Sequence, residues 1–290
     1  MEFITAKSIL SPLKNGPDPY FGIMYSMNIY RGCQHQCIYC DSRSTVYNIG
    51  ELSHIRIKQN ALELLEQKLR KLKIKGTIGT GSMNDPYMPV EEEHKMVEKA
   101  LQIIARYKFP LHIITKSNLV LRDAEIIKCI SNVYAAVSFT ITTIDDSVSK
   151  LIEPIAPVTS HRLVAMRALS NMGIYTGAVV TPVLPYITDS PENIKAIVQA
   201  VAKAGGKYVL FWPGLTQREG QREYFYKKLD LLFPGLKEKY IALFGDKYNC
   251  PVPGSDNLFK TYTDACLTTG LKTRMEHYRP APFPIQPTLF

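Results

Sequence analysis

The sequence predicts a parallel α/β protein. Six apolar, β-branched segments alternate with helical stretches up to Trp212, and such alternation implies parallel strands joined by right-handed crossovers. The length, 290 residues, is near that of one barrel-type α/β domain. A hydrophobic fraction of 46% supplies a core of that size.

Residues 1–20 form a lead-in closed by the turn Gly16-Pro17-Asp18-Pro19. Phe21 to Tyr30, rich in aromatic and β-branched residues, is the first expected strand. It delivers Cys33 at its C-terminal end, where the sites of parallel α/β proteins collect. Asn60 to Leu72 predicts a helix, with Leu62, Leu65, Leu69 and Leu72 on one face. The basic run Lys68, Arg70, Lys71, Lys73 and Lys75 suits the negative pole of that helix. Ile74 to Thr80 is the second strand, followed by Gly81-Ser82 and the turn Asp85-Pro86-Tyr87. Glu91, Glu92 and Glu93 open a helix expected from Val90 to Tyr107. Leu111 to Thr115 is the third strand, ending at Lys116, and Asp123 is expected to cap a helix that runs to Ile130. Cys129, on that helix, reads as a small core residue.

Ala135 to Ile141 is the fourth strand. Its Ser138, Thr140 and Thr142 alternate with Val137, Phe139 and Ile141, giving either ligand-contacting hydroxyls or a strand with one solvated face. Thr159 to Met172 predicts a helix stopped by Gly173, and Ile174 to Thr181 a fifth strand closed by Pro182 and Pro185. Ser190-Pro191-Glu192 has the cap-then-proline order of a helix start. Lys207 to Trp212 is the sixth strand. From Arg218 the pattern changes to helices through Leu229 and Tyr240 and a tail rich in Pro, Tyr and Thr. The chain therefore divides into a core, 1–217, and an extension, 218–290, expected to pack on it. The end with Pro280, Pro282, Pro284 and Pro287 is expected to be extended.

Three of the six cysteines, Cys33, Cys37 and Cys40, lie in the stretch Y-R-G-C-Q-H-Q-C-I-Y-C-D-S-R-S. Three thiolates from one short loop suit a [4Fe–4S] cluster, holding three irons and leaving the fourth open to a substrate or cofactor. Gly32 suits the sharp turn before the first ligand. The competing reading is structural zinc on the same cysteines with His35, although structural zinc usually draws paired ligands from two separated segments. Disulfides are not expected. The opening Met1-Glu-Phe-Ile-Thr-Ala-Lys carries charges and no apolar core, so a reducing cytoplasm is. Cys250 and Cys266 alone cannot hold a second cluster.

Cys33-x3-Cys37-x-Tyr39-Cys40 resembles the signature of radical S-adenosylmethionine (SAM) enzymes. More narrowly, N-I-Y-R-G-C-Q-H-Q-C-I-Y-C-D-S-R-S, G-T-G-S-M-N-D-P-Y-M-P-V-E, T-K-S-N-L-V-L-R-D and E-P-I-A-P resemble the spore photoproduct lyase-like branch, over about residues 6 to 215. The resemblance sharpens the fold to a partial (β/α)6 barrel. It implies a [4Fe–4S] cluster on Cys33, Cys37 and Cys40, whose open iron is chelated by SAM, and a 5′-deoxyadenosyl radical that abstracts a substrate hydrogen. It implies an electron donor such as flavodoxin or ferredoxin. It places Tyr39 against the adenine, and Thr80, Gly81 and Ser82 at the methionine amino group. Lys116 would face the SAM carboxylate, Ser138 and Thr140 would reach the ribose or carboxylate, and Glu153 and Arg162 would pair across the mouth. One departure stands out. Photoproduct lyases that repair thymine dimers carry a hydrogen-donating cysteine near the end of the second strand, where this chain has Gly81 and Ser82.

Lys plus Arg exceed Asp plus Glu, 35 against 26, for a net charge of +9 spread along the chain. That balance favours an anionic partner, nucleic acid above all. No apolar run reaches the ~20 residues of a membrane-spanning helix. The substrate expected is a base in a nucleic acid. The alternatives are radical modification of a peptide or small molecule, or a non-enzymatic, zinc-stabilised nucleic-acid-binding module.

Overall fold

The computed structural model describes residues 1–280; Pro282, Pro284 and Pro287 lie outside the described residues. The chain opens with β1 (Glu2–Ile4), β2 (Leu10–Pro12), β3 (Ile23–Met27) and β4 (Tyr30–Arg31), then, after the cysteine loop, β5 (Arg56–Lys58). The alternating part comprises α1 (Ala61–Lys71), β6 (Thr77–Thr80), α2 (Val90–His94), α3 (Met96–Tyr107), β7 (Leu111–Thr115), α4 (Ala124–Ile130) and β8 (Ala135–Thr140). It continues through α5 (Asp146–Ile152), α6 (Thr159–Asn171), β9 (Tyr175–Val180), α7 (Pro191–Lys203) and β10 (Tyr208–Phe211). The last elements are β11 (Gly214–Thr216), α8 (Gln221–Leu232), α9 (Leu236–Phe244), β12 (Asn249–Pro251) and α10 (Ser255–Thr269).

The main sheet has the order β10-β9-β8-β7-β6-β3-β2. Strands β3 and β6 to β10 are parallel and lie side by side in chain order, so each crossover joins immediate neighbours. These are the six predicted strands. The lead-in is more structured than expected. Its β2 pairs antiparallel with β3, and β1 pairs with β5, which also carries β4 in a separate three-stranded sheet.

One face of the main sheet, through Leu111, Ile113, Val137 and Phe139, meets Leu101 and Ile104 of α3, Ile127 of α4, Met166 of α6 and Ile197 of α7 in a single core. Fully burying side chains of this size stabilises by roughly 1.5–3 kcal/mol each. All six residues of β8 are buried, so neither face is solvated. On its other face Ser138 joins His112, through Nε2, and the Tyr208 hydroxyl, at 2.7 and 2.6 Å. Burial, with His277 nearby, drives the His112 pKa down to about 3, so the ring is neutral within this chain of hydroxyls.

Three local expectations are corrected. The helix from Val90 to Tyr107 is broken at Lys95, which is left-handed with φ 51°. Glu91 lies in the first turn of α2, as expected, but it is fully buried and also accepts the Val97 N–H at 2.9 Å, one of the free donors at the start of α3. Asp123 precedes α4 but makes no side-chain cap; its carboxylate takes Arg122 and the Tyr87 hydroxyl, the latter at 3.0 Å. Cys129 is exposed, because Ile127 and Ile130 occupy the inner face of α4.

The extension enters the core at two places. Helix α10 sends Leu258, Tyr262 and Cys266 into the main core. Helices α8 and α9 send Phe225, Leu229, Tyr240 and Phe244 onto Cys37, Ile38 and Tyr39. The extension thus covers the cysteine loop directly.

Candidate active site at the strand ends

The cysteine loop follows β4 and is held at its backbone by four distant partners. Cys33 N–H donates to Leu52 O at 2.8 Å and Ile38 N–H to Ile152 O at 2.9 Å. Ile155 N–H donates to His35 O at 3.2 Å, and the Gln221 amide donates to Tyr39 O at the same distance. Cys33 and Cys37 are buried and Cys40 partly so. Burial, with Cys40 nearby, pushes the Cys33 thiol up to about 12, and burial also raises Cys37, where Lys116 opposes the rise. Without a metal these sulfurs stay protonated, and a metal would take them as thiolates.

The turn after β6 packs against this loop. Gly81 has φ 104°, and a Cβ there would lie 2.0 Å from Ile114 O, so only glycine allows the chain to leave β6 beside β7. Thr80 is buried and Ser82 exposed on either side of it. Ser42 donates to Met83 O at 2.8 Å, and Asn84 donates to Tyr30 O at 2.7 Å, just before the first cysteine.

Asp85 is a junction that the turn reading missed. Its carboxylate accepts Thr115 Oγ1 at 2.7 Å and Lys116 N–H at 2.6 Å, and His35 Nδ1 lies 3.4 Å away. Burial would raise its pKa, but His35 and these donors hold it at about 2. It therefore joins the ends of β6 and β7 to the cysteine loop as an anion. The signal available in sequence was an Asp-Pro turn closing a strand. His35, the fourth ligand of the competing zinc reading, is buried against Asp85.

Lys116 is partly buried, with Nζ 5.8 Å from the Tyr39 ring centroid. Burial would lower its pKa, but Cys37 and Glu153 keep it raised, so it is a cation. Among the described residues its ammonium makes neither an ion pair nor a hydrogen bond, unlike Arg122 and Arg162. Tyr39 donates to Glu153, which is fully buried and pairs with the equally buried Arg162. Arg162 also donates to Thr140 O at 2.9 Å and Pro157 O at 2.8 Å. The expected Glu153–Arg162 pair exists, but it lies inside the protein rather than across an open mouth. The structure thus gathers Cys37, Tyr39, Lys116 and the Thr140 backbone around one buried ion-pair network. Ser138 stands apart, engaged by His112 and Tyr208.

Among the described residues no three His, Cys, Asp or Glu side chains converge on a single-ion position. A cubane cluster does not ask for that, since each thiolate binds a different iron. Three cysteines from one loop, two of them buried, beside a cation that makes no direct ion pair and under an apolar cover, form a donor set that fits such a cluster.

A mostly parallel α/β sheet with a three-thiol loop at its strand ends fits the class of iron–sulfur enzymes. The Radical SAM superfamily profile matches residues 27–197, and the chain belongs to that superfamily. Its cofactors are a [4Fe–4S] cluster and SAM, and it needs a one-electron reductant. An uncharacterized protein of Methanocaldococcus jannaschii is 34% identical over 189 residues, 64% of this chain and 68% of its own. One from Mycobacterium bovis is 28% identical over 302 positions, spanning 99% of this chain and 87% of its own. Two solved structures of spore photoproduct lyase share the fold. One is complexed with dinucleoside spore photoproduct; the other is a mutant with bound AdoMet and the same dinucleoside. Each has a TM-score of 0.68, covers 92% of this chain and 78% of its own, and is 16% identical. No helix among the described residues is long and apolar enough to cross a membrane.

Proposed function

We propose that this radical SAM enzyme abstracts hydrogen from a base in a nucleic acid, to modify or repair it, with Cys33, Cys37 and Cys40 holding the cluster. The observation that carries the cofactor half is a loop of three thiols, of which Cys37 feels the Lys116 ammonium, at the ends of parallel strands. When bound, the reduced cluster and SAM supply reductive carbon–sulfur cleavage to a hydrogen-abstracting radical. The residues of the chain position and shield that chemistry. Lys116 would pair with the SAM carboxylate, and Tyr39, oriented by its hydrogen bond to Glu153, would present its ring to the adenine. Thr80, Gly81 and Ser82 would meet the methionine amino group, and Thr140 the ribose. Ser138 would have to exchange His112 or Tyr208 to join them. Phe225 and Tyr240, packed over Cys37 and Tyr39, would keep water from the loop.

The substrate half is supported by the fold shared with a lyase solved holding a dinucleoside lesion, and by the net charge of +9. The chemistry proposed excludes a cysteine hydrogen donor at the end of β6, where Gly81 and Ser82 stand. Flavodoxin or ferredoxin would serve as the reductant.

Two measurements test these halves. Lys116→Ala in the reconstituted enzyme should keep its iron and weaken SAM binding by about 1.5–3 kcal/mol, roughly ten- to hundredfold in Kd, as expected for a hydrogen bond to a charged group. Unchanged SAM affinity at full iron loading would remove Lys116 from the site. For the substrate, single- and double-stranded DNA and RNA should bind with log K falling by roughly 0.7–0.9 per phosphate neutralised for each unit of log salt. No binding to any of the four at low salt would exclude a nucleic acid.

A further inference from the structure

A concavity lies beside the start of the cysteine loop, at Arg31 and Gly32. It has a volume of about 400 Å³ and sits between the three-stranded sheet and the turn after β6, with Gly32 and Met83 in its wall. Lys7, Arg31 and Lys58 line it, and no Asp or Glu does. Among the described residues none of these three cations forms an ion pair, although ion pairs elsewhere take up Arg106, Arg122, Arg162 and Arg218. The carboxylates behind its wall are already engaged. Glu91, bonded to Tyr30, is held by Arg122, and Asp41, bonded to Tyr47, lies beside Arg218.

Two of the three cations are also held in place. Arg31 donates to Asn48 O, and Lys58 Nζ donates to Asn28 O at 2.6 Å, which orients both head groups and leaves further N–H donors free. Burial, then Arg31, holds the Lys58 pKa below its usual value, which is what two cations sharing one space produce. The Asn28 side-chain oxygen is buried without a hydrogen-bond partner. Turned over, that amide offers an N–H in the same place, and amide orientation follows the partner present. Two oriented cations, a third beside them, an amide whose oxygen lacks a partner and no carboxylate together make an anion site, and the fork of Arg31 suits the oxygens of a phosphate.

We propose that this cavity is a phosphate-binding subsite, filled by a backbone phosphate of the nucleic-acid substrate. The assignment rests on the reading of that substrate in the preceding section. Interactions of this kind carry no sequence information but set register and orientation. Seated beside Gly32 and Met83, the phosphate would hold the strand against the same loop that carries Cys33.

The test uses the full-length, iron-reconstituted protein with two probes, a single-stranded DNA oligonucleotide and inorganic pyrophosphate. Two variants are compared. Lys7→Gln changes an exposed side chain and leaves the fold alone; Lys7→Gln/Lys58→Gln removes two cations, with iron content and Tm reporting whether it folds. Pyrophosphate should raise the Tm of the wild type and compete with the oligonucleotide, and both effects should shrink in Lys7→Gln and vanish in the double variant. Oligonucleotide affinity should fall roughly tenfold in the double variant, with the salt slope shallower by about 0.7 for each phosphate no longer neutralised. If the wild type binds the oligonucleotide and Lys7→Gln and the folded double variant bind it equally well, with the same slope, the subsite is overturned and the nucleic-acid reading survives. If no nucleic acid binds yet pyrophosphate stabilises the wild type alone, the substrate reading falls and the anion site stands. If pyrophosphate does not stabilise the wild type, the subsite is wrong.

Discussion

Replacing any one of Cys33, Cys37 or Cys40 with alanine will leave a folded protein that retains no [4Fe–4S] cluster and releases no 5′-deoxyadenosine from SAM. The wild type, reconstituted anaerobically, should carry about four irons per chain, and with dithionite it should cleave SAM slowly even without substrate. Two thiolates cannot hold a cube that three hold, so each single change should remove the iron rather than reduce it in proportion. Cys129, on the exposed face of α4, and Cys250 and Cys266, buried in apolar surroundings, should be replaceable without loss of iron. Iron content, absorbance and product release read the outcome. Iron retained after Cys37→Ala, or lost after Cys250→Ala, would mean that the cluster sits elsewhere. One zinc and no iron in the wild type would replace the cluster with a structural metal.

Arg162→Met should destabilise the protein by about 3–5 kcal/mol at neutral pH, because it strands a fully buried carboxylate without its cation. In the wild type burial would raise the Glu153 pKa, but Arg162, Lys116 and the Tyr39 hydroxyl hold it below its usual value. A depressed carboxylate contributes stability above its unfolded pKa and loses it as pH falls through the folded one. In the variant Lys116 and the Tyr39 hydroxyl remain, but the paired cation is gone, so the stability contributed by ionised Glu153 shrinks. The gap between the two proteins, measured by urea denaturation, should therefore widen from pH 4 to pH 7. The double variant Glu153→Gln/Arg162→Met should recover much of the loss. A loss below about 1 kcal/mol that does not vary with pH would show that the pair carries little weight.

How much of this was legible depends on the reach of each interaction. The strand Leu111 to Thr115 could be read residue for residue because a short, mostly apolar segment between Pro110 and Lys116 needs no knowledge of its neighbours. The three cysteines were legible for the same reason, all lying in one short stretch, whereas Lys116 was singled out by the family resemblance and not by its place at a strand end. Strands β1 and β2 were hidden, since three residues carry no periodicity and their pairing depends on segments far along the chain. Glu91 and Asp123 look like helix-start residues by local rules. Their true partners, Tyr30, Tyr87 and Arg122, are supplied by the tertiary fold. Asp85 as a three-way junction, and α8 and α9 as a cover for the cysteine loop, were invisible because both depend on packing between distant elements.

The anchoring of the cysteine loop has a consequence for chain entropy. The three thiols are near neighbours in sequence, whereas the loop's shape is set from Leu52, Ile152, Ile155 and Gln221, the last 182 positions from Tyr39. A cross-link between near neighbours closes only very small rings, and so restricts the unfolded chain little. An unfolded chain could also gather iron on such a loop, which further narrows the preference of the metal for the folded state. The cluster would therefore add far less to conformational stability than a zinc that ties two distant segments together. The fold keeps the place ready, and iron can leave and return without the chain coming apart.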